Sequence, residues 1–260
     1  MPHDDDLRLH HTQTGMTISP ELFEKLYLTP KVPDSKSQRA NPNALGFTGF
    51  VVSTFTFAVV NMGWGGANNL AGVAGIFFFV GPVLLILATI FAWYMNEFFA
   101  MMVQGLFSVF WLSFGLLQLP TLGLAAAYSP TGNAAEGAAS KGYNATIGLY
   151  LIVWGFALLT FFVFCLKTNI VFSAIFGTVT IAAWVLAGAY FRVGAGDYVM
   201  ALRLQKTGGA ILFVTAALGW YMTIVIMSYE MRMPFNLPVG DLSHLWPSTD
   251  RPIGDVEKQA

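Results

Sequence analysis

Arg39 to Val60 reads RANPNALGFTGFVVSTFTFAVV. The last charge is Arg39, and none follows before the stretch ends. An apolar run of about 20 residues is what an α-helix needs to cross the hydrocarbon core of a bilayer. The run opens with Asn41-Pro42. Asn is a good N-cap, and Pro suits the first helical position, where its missing N–H is not needed. This predicts a span that starts at a fixed point near one membrane face. Free N–H groups and the positive end of the helix dipole would attract an anion there without any basic residue. Gly46 and Gly49 lack side chains and let a ligand or a neighbouring helix approach. On spacing alone, a capped helix with glycine packing is the simpler reading.

The rest of the chain extends the pattern. Of 260 residues, 55% are hydrophobic and 10% charged, with a mean hydropathy of +0.61. Soluble domains carry about 25% charged residues. Runs of membrane length fall near 45–64, 70–93, 98–118, 146–166, 170–191 and 209–229. Backbone groups in lipid need partners within the segment, so each run is read as a helix. The runs lack the period-2 alternation of a β-barrel. The fold class is therefore all-α, a polytopic bundle of six transmembrane helices. The organisation is a tail over 1–43 with a short amphipathic helix near 20–28, a membrane domain over 44–230, and a second tail over 231–260. The loops joining spans 1–2, 2–3 and 4–5 read as very short, and 119–145 and 192–208 as longer loops.

Lys and Arg set the orientation. With the N-terminus inside, the cytosolic parts hold Arg8, Lys25, Lys31, Lys36, Arg39, Lys167, Arg232, Arg251 and Lys258. The outside holds Lys141, Arg192, Arg203 and Lys206. The bias favours both termini in the cytosol. No basic and apolar leader pattern of a cleaved signal peptide is visible, so the first span would act as its own insertion signal.

Composition excludes several functions. A net charge of -1 offers no basic field for nucleic acid. His3, His10, His11 and His244 lie in the tails, which disfavours an intramembrane haem or metal site. No nucleophile elbow, phosphate loop or HExxH pattern occurs. Neither an enzyme nor a cofactor is expected. Cys165 stands in an apolar run and reads as an inert thiol. Glu97 and Glu230 flank spans and read as water-facing before they read as a proton relay. The spans hold neutral polarity instead: Ser53, Thr54 and Asn61 in the first, Gln104 and Ser108 in the third, Ser173 and Thr178 in the fifth. Single hydroxyls usually bond a carbonyl one turn back, but together these could line a narrow path. Trp111, Trp154, Trp184 and Trp220 lie near span centres, where packing is a simpler role than a pore wall. Small pairs such as Gly72 and Gly75, or Ala183 and Ala187, suit close helix contact.

NPNALGFTGF is similar to the NPxPLGL motif that opens the first span of the acetate uptake transporter family, also called GPR1/FUN34/YaaH. PELFEKLYLTPK, NMGWGGA, FWLSFG, GLAAAYSP, KTNIVF, LAGAYF and LPVGDLS resemble its fungal branch in the same order, from about residue 19 to 243. The resemblance implies six helices, a homohexamer in membrane lipid with a pathway in each protomer, and passage of acetate or other small monocarboxylates, in some members succinate. Transport would be proton-coupled or channel-like. The family's substrate motif falls on Asn41, Pro42, Leu45 and Gly46, and the hydroxyls of Ser53 and Thr54 follow it. Its constriction falls on Phe50, Phe107 and Val179. The second motif proline is Ala44 here, the last leucine is Phe47, and a glutamate position after the second span is Ala92.

The functional expectation is an integral protein of the plasma membrane that passes acetate, held first at the start of span 1 and then crossing an aromatic neck as the neutral acid. Two other readings stand beside it: a non-transporting sensor or assembly protein of the same fold, and an exporter of ammonium or another small solute.

Overall fold

The computed structural model describes residues 40–246. The amphipathic helix expected near 20–28, and the remainder of both tails, lie outside the described residues. Among the described residues, six helices are long and apolar enough to cross a membrane. They are α1 (Asn43–Met62), α2 (Gly81–Tyr94), α3 (Phe98–Leu117), α4 (Lys141–Cys165), α5 (Ile170–Gly194) and α6 (Tyr198–Glu230). A π-helical turn, Ile76–Val80, precedes α2 and completes its span. Among the described residues there is no strand, only an isolated bridge between Asn169 and Asp241.

Three boundaries differ from the sequence reading. The second span starts at Ile76 and not near residue 70, because the glycine-rich segment after α1 keeps turning. Gly63, Gly65 and Gly66 hold φ of +80°, +62° and +83°, where a side chain would be strained. Gly72 and Gly75 therefore sit in this connection, with nothing close to either, and not in a helix contact. The fourth span begins at Lys141, capped by Ser140. The expected loop 192–208 is largely helix, since α6 begins at Tyr198. Asp197 caps it by accepting from the Met200 N–H at 3.0 Å. Arg203 and Lys206 then project from an exposed face while Ala201 and Gly208 are buried. That amphipathic turn looks like a charged loop when only hydropathy is counted.

The helices pack in the order α3, α2, α1, α6, α5, α4. Side chains close the seam between α3 and α4. Phe110 meets Trp154 edge-on at 5.2 Å, Phe99 meets Phe161 at 6.0 Å, and the Ser113 and Tyr150 hydroxyls lie 2.6 Å apart. The result is a ring of helices around a shared axis. In lipid such a ring is held by close packing more than by expulsion of water. Gly81 shows how tight it is: a Cβ there would stand 2.9 Å from the Trp111 ring and 2.9 Å from Ser53 Oγ.

Beyond α6 the chain returns to the start of α5. Ile170 N–H donates to the Gly240 carbonyl at 2.8 Å, and Leu242 N–H to that of Thr168 at 3.0 Å. The Tyr221 hydroxyl donates to the Pro238 carbonyl at 2.6 Å. Residues 238–242 thus strap the α4–α5 turn.

Candidate functional site

The start of α1 is built as its sequence predicts, with one consequence that differs. Pro42 already has helical angles, φ -73° and ψ -16°. Asn41 Oδ1 accepts the Asn43 N–H at 2.9 Å, the bond an N-cap makes to the second helical residue. The Leu45 and Gly46 N–H groups both donate to the Pro42 carbonyl, at 3.1 and 3.2 Å. The donors expected to hold an anion are therefore largely used within the turn itself. Polar side chains, not backbone N–H groups, face the adjoining space.

That space is a line of four cavities along the axis of the ring. The first, of about 250 Å³, is walled by Asn41, Asn43, Phe47, Gln104, Phe172 and Met222 among others. The second, of about 20 Å³, shares Phe47, Val103, Gln104 and Phe172 with it and adds Gly46, Phe50 and Phe107. The third, of about 50 Å³, shares Phe50 and Phe107 and adds Thr54, Trp111, Trp154 and Val179. The fourth, of about 220 Å³, shares Phe57, Phe114 and Leu186 with the third and reaches Asn61, Asn68, Gln118, Tyr190 and Gln205. Two wider ends, each with amide side chains in its wall, thus flank a narrow aromatic middle. By this measure a single water needs about 10–15 Å³, so the second cavity has room for little more than one. None of the lining residues is charged.

The neck is an aromatic assembly. Phe50 and Phe107 lie 4.8 Å apart between centroids, tilted by 56°, and Phe107 meets Phe176 at 5.9 Å. Val179 completes the wall from α5. The structure thus brings together the three positions that the family resemblance marks as a constriction. Trp111 packs against Phe57, Phe77 and Phe110 and also faces the third cavity, so packing and lining are one role there. Trp184 and Trp220 stand at the outer surface instead.

Three buried side-chain atoms among the described residues have no hydrogen-bond partner: Thr54 Oγ1, Gln104 Oε1 and Trp111 Nε1. All three residues line this path. Every other threonine in the six helices donates to the carbonyl four residues back, as Thr56 does to Val52 and Thr180 to Phe176. Thr54 does not. An unpaired buried polar group costs about 1–3 kcal/mol, so three along one axis call for a function.

The remaining sequence candidates divide. Asn41 lines the first cavity and Gly46 the second. A Cβ on Gly46 would come within 2.8 Å of Gln104 Cδ. Pro42 is buried and acts through its carbonyl. Leu45 is exposed and lines none of the four cavities. Ser53 is fully buried but turns to α2, donating to the Ile76 carbonyl at 3.4 Å. Sequence reasoning missed a polar chain at the first cavity. Asn43 Nδ2 donates to Glu97 Oε2 at 2.7 Å, and Gln104 Nε2 donates to Asn43 Oδ1 at 2.7 Å. The signal was present in Glu97, the acid in the turn between the second and third spans, and in Gln104 within the third.

Comparisons agree with this architecture. The profile of the GPR1/FUN34/yaaH family matches residues 25–244. Over 253 residues the chain is 35% identical to protein alcS of Aspergillus fumigatus, covering 94% of this chain and 93% of that protein. Over 206 residues it is 30% identical to the acetate transporter protein patA of Aspergillus clavatus, covering 79% and 80%. The bacterial acetate channel SatP superposes with a TM-score of 0.59 at 23% identity, over 78% of this chain and 99% of that one, which is a likeness of fold.

Proposed function

We propose that this chain, which belongs to the GPR1/FUN34/yaaH family, passes acetate or a similar small monocarboxylate along the axis of its own six-helix ring. The observation that carries this is the line of four cavities, with its three unpaired polar atoms, running from Asn41 to Asn61. Relatives named for acetate transport supply the substrate class.

The walls suggest the form in which the substrate crosses. A bare carboxylate in an apolar neck without a counter-charge costs several kcal/mol. The neck between Phe50, Phe107 and Val179 holds no cation, and its unpaired polar atoms are one hydroxyl and one indole N–H. The neutral acid meets these at far less cost. It offers an O–H to Thr54 and a carbonyl to Trp111 Nε1, and so carries its own proton across. Asn41 and Gln104 would receive the solute at one end, and Asn61 and Gln118 at the other. Phe50 and Phe107 must turn aside for it, since the second cavity is too small as it stands. Ser53 and Leu45 support this path without touching it.

The positive-inside rule places the Asn41 end in the cytosol. At the Asn61 end, Arg192 lies 3.8 Å from Asp197, which offsets one of the external positive charges. Plasma-membrane location and assembly as a homohexamer complete the proposal.

The test is flux of labelled acetate into liposomes holding the purified full chain, with internal pH recorded. Uptake that grows with external acidity and brings a proton with each acetate supports the neutral-acid crossing. Steady acetate current without proton movement would replace it with an anion channel. Competition by ammonium but not by propionate would move the substrate class to the exporter reading.

A further inference from the structure

Resting on the reading of this chain as a carboxylate pathway, we propose that Glu97, Asn43 and Gln104 form a reversible hydrogen-bond relay. It shows the pathway an acceptor when Glu97 is ionised and a donor when Glu97 is protonated. The relay thereby decides which chemical form of solute the first cavity holds.

The bonds fix the first of these states. Glu97 Oε2 accepts from Asn43 Nδ2 at 2.7 Å, and Asn43 Oδ1 accepts from Gln104 Nε2 at 2.7 Å. An ionised carboxylate can only accept, so it sets the direction of every bond after it. What remains at the far end is Gln104 Oε1, buried and without a partner. Gln104 is 4% exposed and lines both the first and the second cavity. A bare oxygen there accepts from an O–H or N–H of a neutral solute and repels a carboxylate.

Protonation reverses the chain. One proton binds Glu97, whose O–H then donates to Asn43 Oδ1. Asn43 Nδ2 turns to donate to Gln104 Oε1, and Gln104 Nε2 becomes the free end. Each amide needs only a half-turn about its last bond, and its oxygen and nitrogen occupy nearly the same volume. No covalent bond changes. The free N–H now favours an anion.

Among the described residues, few other ionisable groups lie on this side of the bundle. On α1, α2 and α3 there is only Tyr94, at the end of α2. The other elements on this side bring Cys165 and Lys167 at the end of α4, Tyr229, Glu230 and Arg232 at the end of α6, and Asp241 and His244 beyond it, and none of these bonds or pairs with Glu97. Glu97 is half-buried beside the first cavity and has access to protons from water.

The test uses two acetate-sized probes whose charge does not change between about pH 3 and about pH 7, the range over which carboxyl side chains titrate. Methanesulfonate offers only acceptors, and acetamide also offers N–H donors. Their affinities are measured on the purified full chain. The preference for methanesulfonate over acetamide is expected to rise about tenfold as the pH falls, the equivalent of one hydrogen bond gained. Glu97→Gln, whose amide supports either direction, is expected to abolish that pH dependence, and so is Asn43→Leu, with melting curves showing both variants folded. A preference that stays level with pH in the unmutated chain, or that still shifts with pH in Glu97→Gln, overturns the relay. Acetate flux is read separately in liposomes. A shifting preference without flux supports the relay and sinks the transport reading; flux with a level preference does the opposite.

Discussion

Thr54→Val is the most discriminating change, because its two expected effects have opposite signs. Valine copies the shape of threonine and removes only the hydroxyl. Elsewhere in these helices that hydroxyl bonds back to a carbonyl, and its loss would weaken the fold slightly. At Thr54 it has no partner, in a residue only 3% exposed on the wall of a cavity of about 50 Å³. A buried unpaired hydroxyl costs about 1–3 kcal/mol. Replacing it with a methyl group is expected to stabilise the protein by about 1 kcal/mol, or about 2–4 °C in Tm for a chain of this size.

Transport is expected to fall while stability rises. A solute in the neck has few polar contacts, and Thr54 Oγ1 and Trp111 Nε1 are the two unpaired ones. Loss of one hydrogen bond of about 1.4 kcal/mol in the neck slows passage about tenfold. The assay is labelled-acetate flux into liposomes at matched protein density, alongside a thermal melt in detergent. Thr54→Ser retains the hydroxyl and is expected to keep most of the flux. Wild-type flux in Thr54→Val would refute the polar waypoint. A lowered Tm would refute the claim that the hydroxyl is unpaired.

Other expectations follow from the same contacts. Gly81→Ala puts a methyl group 2.9 Å from the Trp111 ring; a cost of about 1–3 kcal/mol and reduced flux are expected, read by melting and by uptake. Phe50→Ala removes the ring 4.8 Å from Phe107 and joins the second and third cavities. It should cost about 3–5 kcal/mol and raise the butyrate-to-acetate flux ratio; an unchanged ratio would place the size filter elsewhere. Hydrogen bonds from the Ser243 backbone N–H and then its hydroxyl hold the Asp241 carboxyl below its ordinary range. A depressed carboxyl stabilises the fold above its unfolded pKa and loses that effect as the pH falls through its folded one. The strap at 238–242 should therefore loosen only below about pH 4, seen as faster hydrogen exchange at the Ile170 and Leu242 amides.

What the sequence could show depended on the range of each interaction. The cap at Asn41 and Pro42 is local, and the bond from Asn43 N–H to Asn41 Oδ1 was legible in three letters. Span number was legible because lipid demands long apolar runs. The start of α6 was not, because Arg203 and Lys206 lower the hydropathy of a turn whose other face is buried. The site was half legible for a similar reason. A family motif can mark Phe50, Phe107 and Val179, but their meeting on one wall joins α1, α3 and α5. Ser53 and Thr54 are neighbours with similar side chains, and nothing in their letters separates them. Their positions on a helix differ by about 100°. One rotation turns Ser53 toward Gly81 and the Ile76 carbonyl, and the next turns Thr54 into the cavity. The same holds for Glu97, whose neighbours in sequence suggest a water-facing turn. Its role emerges only with Asn43, 54 residues away, and with Gln104, 61 residues from Asn43. A polar residue in a membrane helix becomes informative when its possible partners can be counted, and an atom left without one is the strongest pointer to what the protein binds.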